Sequence, residues 1–230
     1  MKKINLYLMS FKGFKALEKV IENNLDLINS VCIGRDLNVR EDYFEEMKRL
    51  CEENQLSYLL SDEAHKIVDS DYSIAISWKW MIKNVDNLIV FHDSLLPEYR
   101  GFAPLVSQLI NGEEYIGVTA IFANNFYDRG DIIIKKSTKI SYPIKIKKAI
   151  DVVSECYLDC LDFILNNFKK GNLLEAEPQD NSKATYSLWR DEDDYKINWN
   201  QSSMFIKRFV DAVGFPYKGA KTVSYTHLRA

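Results

Sequence analysis

Histidine is scarce: His65, His92 and His227 are the only three in 230 residues. Few imidazoles leave few candidates for proton transfer or metal binding, and no metal site is assigned. Of the four cysteines, Cys32, Cys51, Cys156 and Cys160, none forms a CxxC pair. Cys156 and Cys160 lie four apart in an apolar helical pattern and face the same way. Half a metal site or two core thiols fits that spacing, and core thiols suit a reducing compartment. No charge sign dominates: 30 Lys and Arg face 33 Asp and Glu, a net −3, which argues against nucleic-acid binding through the overall field. No apolar run is long enough to cross a bilayer; Leu88 to Phe91 is typical. The start, Met1-Lys2-Lys3-Ile4-Asn5, carries the charge of a signal peptide without its apolar stretch. A cytoplasmic protein is expected, with no membrane partner. No GxGxxG follows a strand, which counts against a nicotinamide-dependent oxidoreductase.

What is present is an ordinary globular composition, 47% apolar, with room for one large domain or a domain plus a small appendage. The first half alternates strand and helix patterns. Ile4–Met9 reads as a strand, and Phe14, Leu17, Val20, Ile21, Leu25 and Ile28 recur at helical spacing. Strands are expected at 30–34, 57–60, 73–77 and 87–92, with an amphipathic helix around 43–51. Leu88-Ile89-Val90-Phe91 is apolar on both faces, as in a parallel sheet covered by helices. The expected fold is an α/β open doubly wound sheet. After Gly101 we expect a helix over 104–111, strands over 117–123 and 132–136, and a long helix carrying Ile146 to Phe168. From about Gly171 the chain becomes polar, with another helix near 204–213. The division is a core over 1–170 and an appendage over 171–222.

The stretch that carries chemistry is His92-Asp93-Ser94-Leu95-Leu96-Pro97-Glu98-Tyr99-Arg100-Gly101. His92 ends a buried strand, and ligands of open α/β sheets bind beyond the strands' carboxyl ends. An imidazole there is placed for proton transfer or oxyanion stabilisation. The loop resembles the signature of the folate-dependent formyltransferases, His-x-Ser-Leu-Leu-Pro-x-Tyr-Arg-Gly. Asn111-Gly112-Glu113 with Gly117-Val118-Thr119, and then Asp128-Arg129-Gly130-Asp131-Ile132-Ile133, are similar to two further motifs of that family, in the same order.

The resemblance implies a Rossmann-like sheet, 10-formyltetrahydrofolate as cofactor, and formyl transfer to an amine. It makes His92 and Asp128 two members of a catalytic Asn-His-Asp trio. A carboxylate facing an imidazole favours the imidazolium and can accept the amine proton, while the imidazole donates to the oxyanion. By residue type alone, Asp128 before Gly130 also reads as a turn residue. Val90 stands where the family has its Asn, and an apolar side chain cannot donate. Asn87, three residues earlier, falls on the opposite face by strand alternation; Asn124 and Asn125 are the candidate substitutes. The resemblance places the pterin between Trp80-Met81-Ile82 and the loop Ala123, Asn124, Asn125, Phe126, Tyr127. Trp78, Trp80 and Met81 also read as core packing, and Asp93 as a cap.

For the acceptor, Met9-Ser10-Phe11-Lys12-Gly13 lacks the repeated glycines of a phosphate loop. Length and acidity count against tRNA. The chain looks like the branch that formylates amino sugars for surface polysaccharide biosynthesis, with Tyr142 to Ile146 and Tyr186 to Asp191 similar to a pseudaminic-acid-type subgroup. Lys12, Lys79 and Arg100 are candidates to meet a substrate phosphate or carboxylate, and Arg100 alternatively braces its loop. By analogy the resemblance implies a homodimer. A methionyl-tRNA formyltransferase-like enzyme and a non-catalytic binding protein on the same fold are the alternatives. The last eight residues, 223–230, resemble a translated sequencing adapter, and we leave them out of fold reasoning.

Overall fold

In the computed structural model, which describes residues 2–222, the apolar run Ile4–Met9 forms β1, buried along its whole length. It feeds α1 (Ser10–Asn24), then β2 (Ile28–Gly34), α2 (Phe44–Glu53), β3 (Tyr58–Leu60), β4 (Tyr72–Ile76) and β5 (Leu88–His92). Ile28, which fits the helical spacing of α1, opens β2 instead, because a three-residue 3-10 turn at Leu25–Leu27 intervenes. The chain continues through β6 (Arg100–Gly101), α3 (Pro104–Asn111), β7 (Tyr115–Phe122), β8 (Ile132–Lys139), α4 (Ile146–Lys169), β9 (Tyr186–Ser187) and α5 (Ser203–Ala212).

Seven strands form one sheet in the order β3-β2-β1-β4-β5-β7-β8. β1 to β5 are parallel; β7 and β8 join antiparallel. The order reverses between β1 and β4, the switch point of a doubly wound, Rossmann-like sheet. The helical cover differs between the two faces. Leu6, Leu8, Ile33, Ile74, Ile76, Ile89 and Phe91 pack with residues of α1, α2 and α4. The alternate residues Tyr7, Cys32, Ala75, Leu88 and Val90 pack with Ala64 of the 3-10 helix Ser61–Lys66 and with loop side chains such as Ile67, Trp78, Ile82, Val85 and Ala123. The β4–β5 connection, residues 77–87, forms no helix. A face roofed by loops can admit a flat ligand with little rearrangement of the core.

Cys156 and Cys160 are buried and free in the helical core; burial pushes the Cys160 thiol up to about 12. A second cluster joins α3, α4 and α5 through Leu105, Leu109, Ile146, Val153, Phe209 and Val213. Residues 171–222 thus pack onto the core, and β9 pairs with β6. No described helix is long and apolar enough to cross a membrane. The reading of residues 223–230 as a non-native tail lies outside the described residues.

Candidate active site

The motifs seen in sequence touch one another. Ser94 Oγ donates to the Glu98 carbonyl at 2.6 Å, closing the turn after β5. Thr119 Oγ1 donates to the Ser94 carbonyl at 2.6 Å and accepts from the Leu96 amide at 3.0 Å. Tyr99 OH donates to Glu113 Oε1 at 2.5 Å and accepts from Asn111 Nδ2 at 2.9 Å. The loop after His92 is therefore held by side chains from the other two segments, each bond contributing roughly 1 kcal/mol.

His92 ends β5, opposite Thr119 in β7, and is buried. Its Nε2 lies 2.8 Å from the Tyr99 carbonyl. A carbonyl only accepts, so Nε2 carries the proton. Nδ1 then faces Asp128, whose Oδ1 is 3.5 Å away. Asp128 sits in the left-handed region, at φ 55°, and its Oδ2 accepts the Gly101 amide at 2.8 Å. Strain of this kind persists where surroundings over-determine it. Here Gln179 Nε2 grips the Asp128 and Gly130 carbonyls at 2.9 and 2.7 Å. Gly130 is required by contact, since a Cβ there would sit 1.6 Å from the Phe122 carbonyl oxygen.

Arg100 is 2% exposed. Its guanidinium donates to Gln179 Oε1 at 3.1 and 2.7 Å and to Asn181 Oδ1 at 2.9 Å. That geometry is the loop brace, with these donors taken up by Gln179 and Asn181. Gln179 and Asn181 escaped the sequence reading because they lie about eighty residues from Arg100, in a polar stretch without a motif. Lys12 is buried against Asp93, which also accepts Tyr157 OH at 2.7 Å. Burial alone would raise the Asp93 carboxyl, but Lys12 and the hydrogen bonds outweigh it and hold it below its usual value. Asp93 is thus one half of a buried ion pair, not a cap. Lys79 is exposed, 3.5 Å from Asp36.

The two segments expected to hold the pterin differ in character. A cavity of about 400 Å³ is lined by Val85, Asp86, Asn87, Phe122, Ala123, Asn124 and Asn125. Tyr127 is exposed, Met81 largely so, and Ile82 packs under the loop-covered face. Trp80 lies over Gly34 and against Trp78, with ring centroids 4.8 Å apart. Asn124 serves its own turn, accepting from the Phe126 amide at 2.9 Å and donating to the Arg129 carbonyl at 3.2 Å. Asn125 is exposed. Asn87 departs from the alternation argument: it precedes β5 in the left-handed region, φ 53°, and faces the same cavity as Asn124 and Asn125.

A methionyl-tRNA formyltransferase of Halothermothrix orenii is 36% identical over 134 residues, 58% of this chain and 42% of that protein. One from Streptococcus sanguinis is 28% identical over 176 residues, 76% of this chain and 56% of that protein. The chain thus spans about half the length of these curated relatives. Among solved structures, the N-formyltransferase of Helicobacter canadensis, in complex with folinic acid and dTDP-3-aminofucose, superposes with TM-score 0.70 at 17% identity, covering 92% of this chain and 80% of that one. A methionyl-tRNA formyltransferase from Clostridium thermocellum gives TM-score 0.72 at 19% identity, covering 97% and 88%. The formyl transferase family model matches residues 33–150, just over half the chain and all of the segment from β5 to β8, so the chain belongs to the formyl transferase family.

Proposed function

We propose that this chain transfers a formyl group from 10-formyltetrahydrofolate to the amine of an amino sugar. The observation that carries the reading is the His92–Asp128 pair at the carboxyl end of β5, with Nδ1 facing the carboxylate at 3.5 Å. Support for a folate comes from the loop-roofed face and its cavity of about 400 Å³, walled by apolar Val85, Phe122 and Ala123 with amides at its edge. Small-molecule sites share that size and mix. Support for a sugar comes from the net charge of −3 and from the aminosugar nucleotide named with the Helicobacter canadensis neighbour.

When bound, the folate supplies a formyl carbon that the amine attacks, forming the new C–N bond as the bond to N10 breaks. The chain's own residues manage the protons. Asp128 would accept the proton lost by the amine, directly or through His92 Nδ1, and the departing N10 would take up that proton, so that the step balances. The Tyr99 carbonyl fixes the imidazole with its proton on Nε2, so Nδ1 is the basic atom presented to the reaction. Gly101 and Gln179 hold Asp128 in place. In this reading residues 1–170 carry the chemistry and 171–222 brace it through Gln179. Lys79, exposed beside Asp36, is the basic side chain that would meet an anionic part of the acceptor. A methionyl-tRNA acceptor is the second reading, favoured by the names of the curated relatives.

The test is incubation with 10-formyltetrahydrofolate and a panel of amino sugars, following tetrahydrofolate release. Release with at least one sugar, lost in His92→Ala, is expected. Release only with methionyl-tRNA would establish the second reading. Folate binding with no release from any acceptor would make the chain a binding protein.

A further inference from the structure

A second cavity, of about 240 Å³, lies at the carboxyl ends of β1 and β4, lined there by Met9 and Ser77. That is the switch point of the sheet, where open α/β folds bind ligands, and none of the steps above uses it. Asp93, which follows His92, and Ala103, two residues after Gly101, also line it. The cavity thus shares a wall with the loop that carries His92 and whose Gly101 amide anchors Asp128. Another wall joins residues 39–43 to the tail: the Arg40 N–H donates to the Pro216 carbonyl at 3.1 Å, and Glu41, Tyr43 and Tyr217 line the cavity beside it.

The size limits the ligand. Drug-sized sites run to roughly 300–1,000 Å³, so this one holds a single ring with its substituents and not a nucleotide. The charges limit it further. Of the two lysines that line it, Lys12 is paired with Asp93, and Lys147 lies 3.6 Å from Asp151 and over the Phe11 ring. Asp36 has Lys79 at 3.5 Å. Glu41 has no ion-pair partner among the described residues. A phosphate here would set like charge against the carboxylates of Asp36, Glu41 and Asp93, which costs affinity. Hydroxyls and an ammonium would be attracted. The Tyr217 hydroxyl makes no hydrogen bond among the described residues. Burial, with the Asp93 and Asp36 carboxylates adding to it, pushes that phenol up, so it stays a donor. Phe11 and Tyr43, ring centroids 5.1 Å apart, give apolar faces for the carbon edge of a ring.

We infer that this cavity seats the ring of the acceptor, an aminodeoxy sugar held by its hydroxyl and amino groups with no phosphate inside, and that Glu41 and Tyr217 set its specificity. This rests on the formyl-transfer reading above and names the part of the acceptor that is read here; any carrier group stays outside. Through Tyr217, the tail after α5 is part of the acceptor site.

The experiment follows saturation transfer by NMR from the protein to a panel of methyl aminodeoxyhexosides, with inorganic phosphate and thymidine diphosphate as competitors. In the wild type the ring protons of at least one glycoside are expected to be saturated, and neither competitor is expected to displace it. Tyr217→Phe removes one hydroxyl and should weaken that glycoside about 3–10-fold; Glu41→Gln should weaken it about 10-fold or more. In turnover, both variants should raise the acceptor KM by those factors, with kcat and the folate KM within about twofold of the wild type, whereas a merely structural role would move the folate KM as well. The inference is overturned if no glycoside is saturated, if either competitor displaces it, or if both variants keep its affinity within about twofold. The competition arm uses only the wild type, so it decides even where a variant does not fold. Glycoside binding with these losses, but no tetrahydrofolate release by the wild type, would sink the formyl-transfer reading alone and leave the sugar seat standing.

Discussion

Asp93→Asn is the sharpest probe of how this site is held together. Asp93 Oδ2 meets the Lys12 ammonium, and the two side chains are only 19% and 10% exposed. Oδ1 accepts Tyr157 OH at 2.7 Å. Replacing the carboxylate with an isosteric amide keeps the volume and a hydrogen-bond acceptor but leaves a buried ammonium without its counter-ion. Removing one partner of a buried pair costs about 3–5 kcal/mol. For a domain of this size, each 1 kcal/mol lowers Tm by about 2–4 °C, so a fall of roughly 6–20 °C is expected by calorimetry. Lys12→Met added to Asp93→Asn removes the orphaned charge and should restore more than half of the loss. The pH dependence has a definite sign. The folded carboxyl titrates below its free value of about 4, so its stabilisation is complete above that pH. It is lost as pH falls through the folded value. Urea midpoints taken between about pH 5 and 2 should therefore show an acid limb in the wild type that is weaker in the variant. A loss under about 1 kcal/mol, or no recovery in the double variant, would refute the argument that Lys12 depends on Asp93.

Three other perturbations test the remaining supports. Asp128→Asn should cut turnover by about 10²–10⁴-fold while folate binding, read by titration calorimetry, stays within a few-fold. Gly130→Ala drives a Cβ into the Phe122 carbonyl and should destabilise by about 1–3 kcal/mol, read as a lower urea midpoint. Arg100→Lys keeps the charge but loses the planar fork that reaches Gln179 and Asn181; about 1–3 kcal/mol should disappear. In that variant, hydrogen exchange of the Gly101 amide should also accelerate.

The motif residues were legible because each does a job that depends on residue type at fixed spacing. Ser94 and Thr119 supply hydroxyls to one loop, Tyr99 and Glu113 clasp it, and Gly130 fits where no Cβ can. Most element positions followed from apolar periodicity, including β1, α3 and nearly all of α4. The misreadings have physical causes. Ile28 fits a helical period as well as a strand. The same apolar strand reads alike under α-helices or under loops, so the thinner cover of one face was not legible. Asn87 was assigned by an alternation that its left-handed backbone breaks.

Chain order and local chemistry thus settled most of the strand and helix sequence, and the motifs' resemblance to the family pointed to the signature loop, His92 and Asp128 as the residues to examine. Only the folded arrangement decided what surrounds them. It turned Arg100 into a brace, paired Lys12 with Asp93, brought Gln179 under Asp128 and set Glu41 and Tyr217 around one cavity. Those outcomes rest on contacts between segments tens of residues apart. No periodicity or spacing encodes such contacts, because they depend on which face of the sheet each loop crosses.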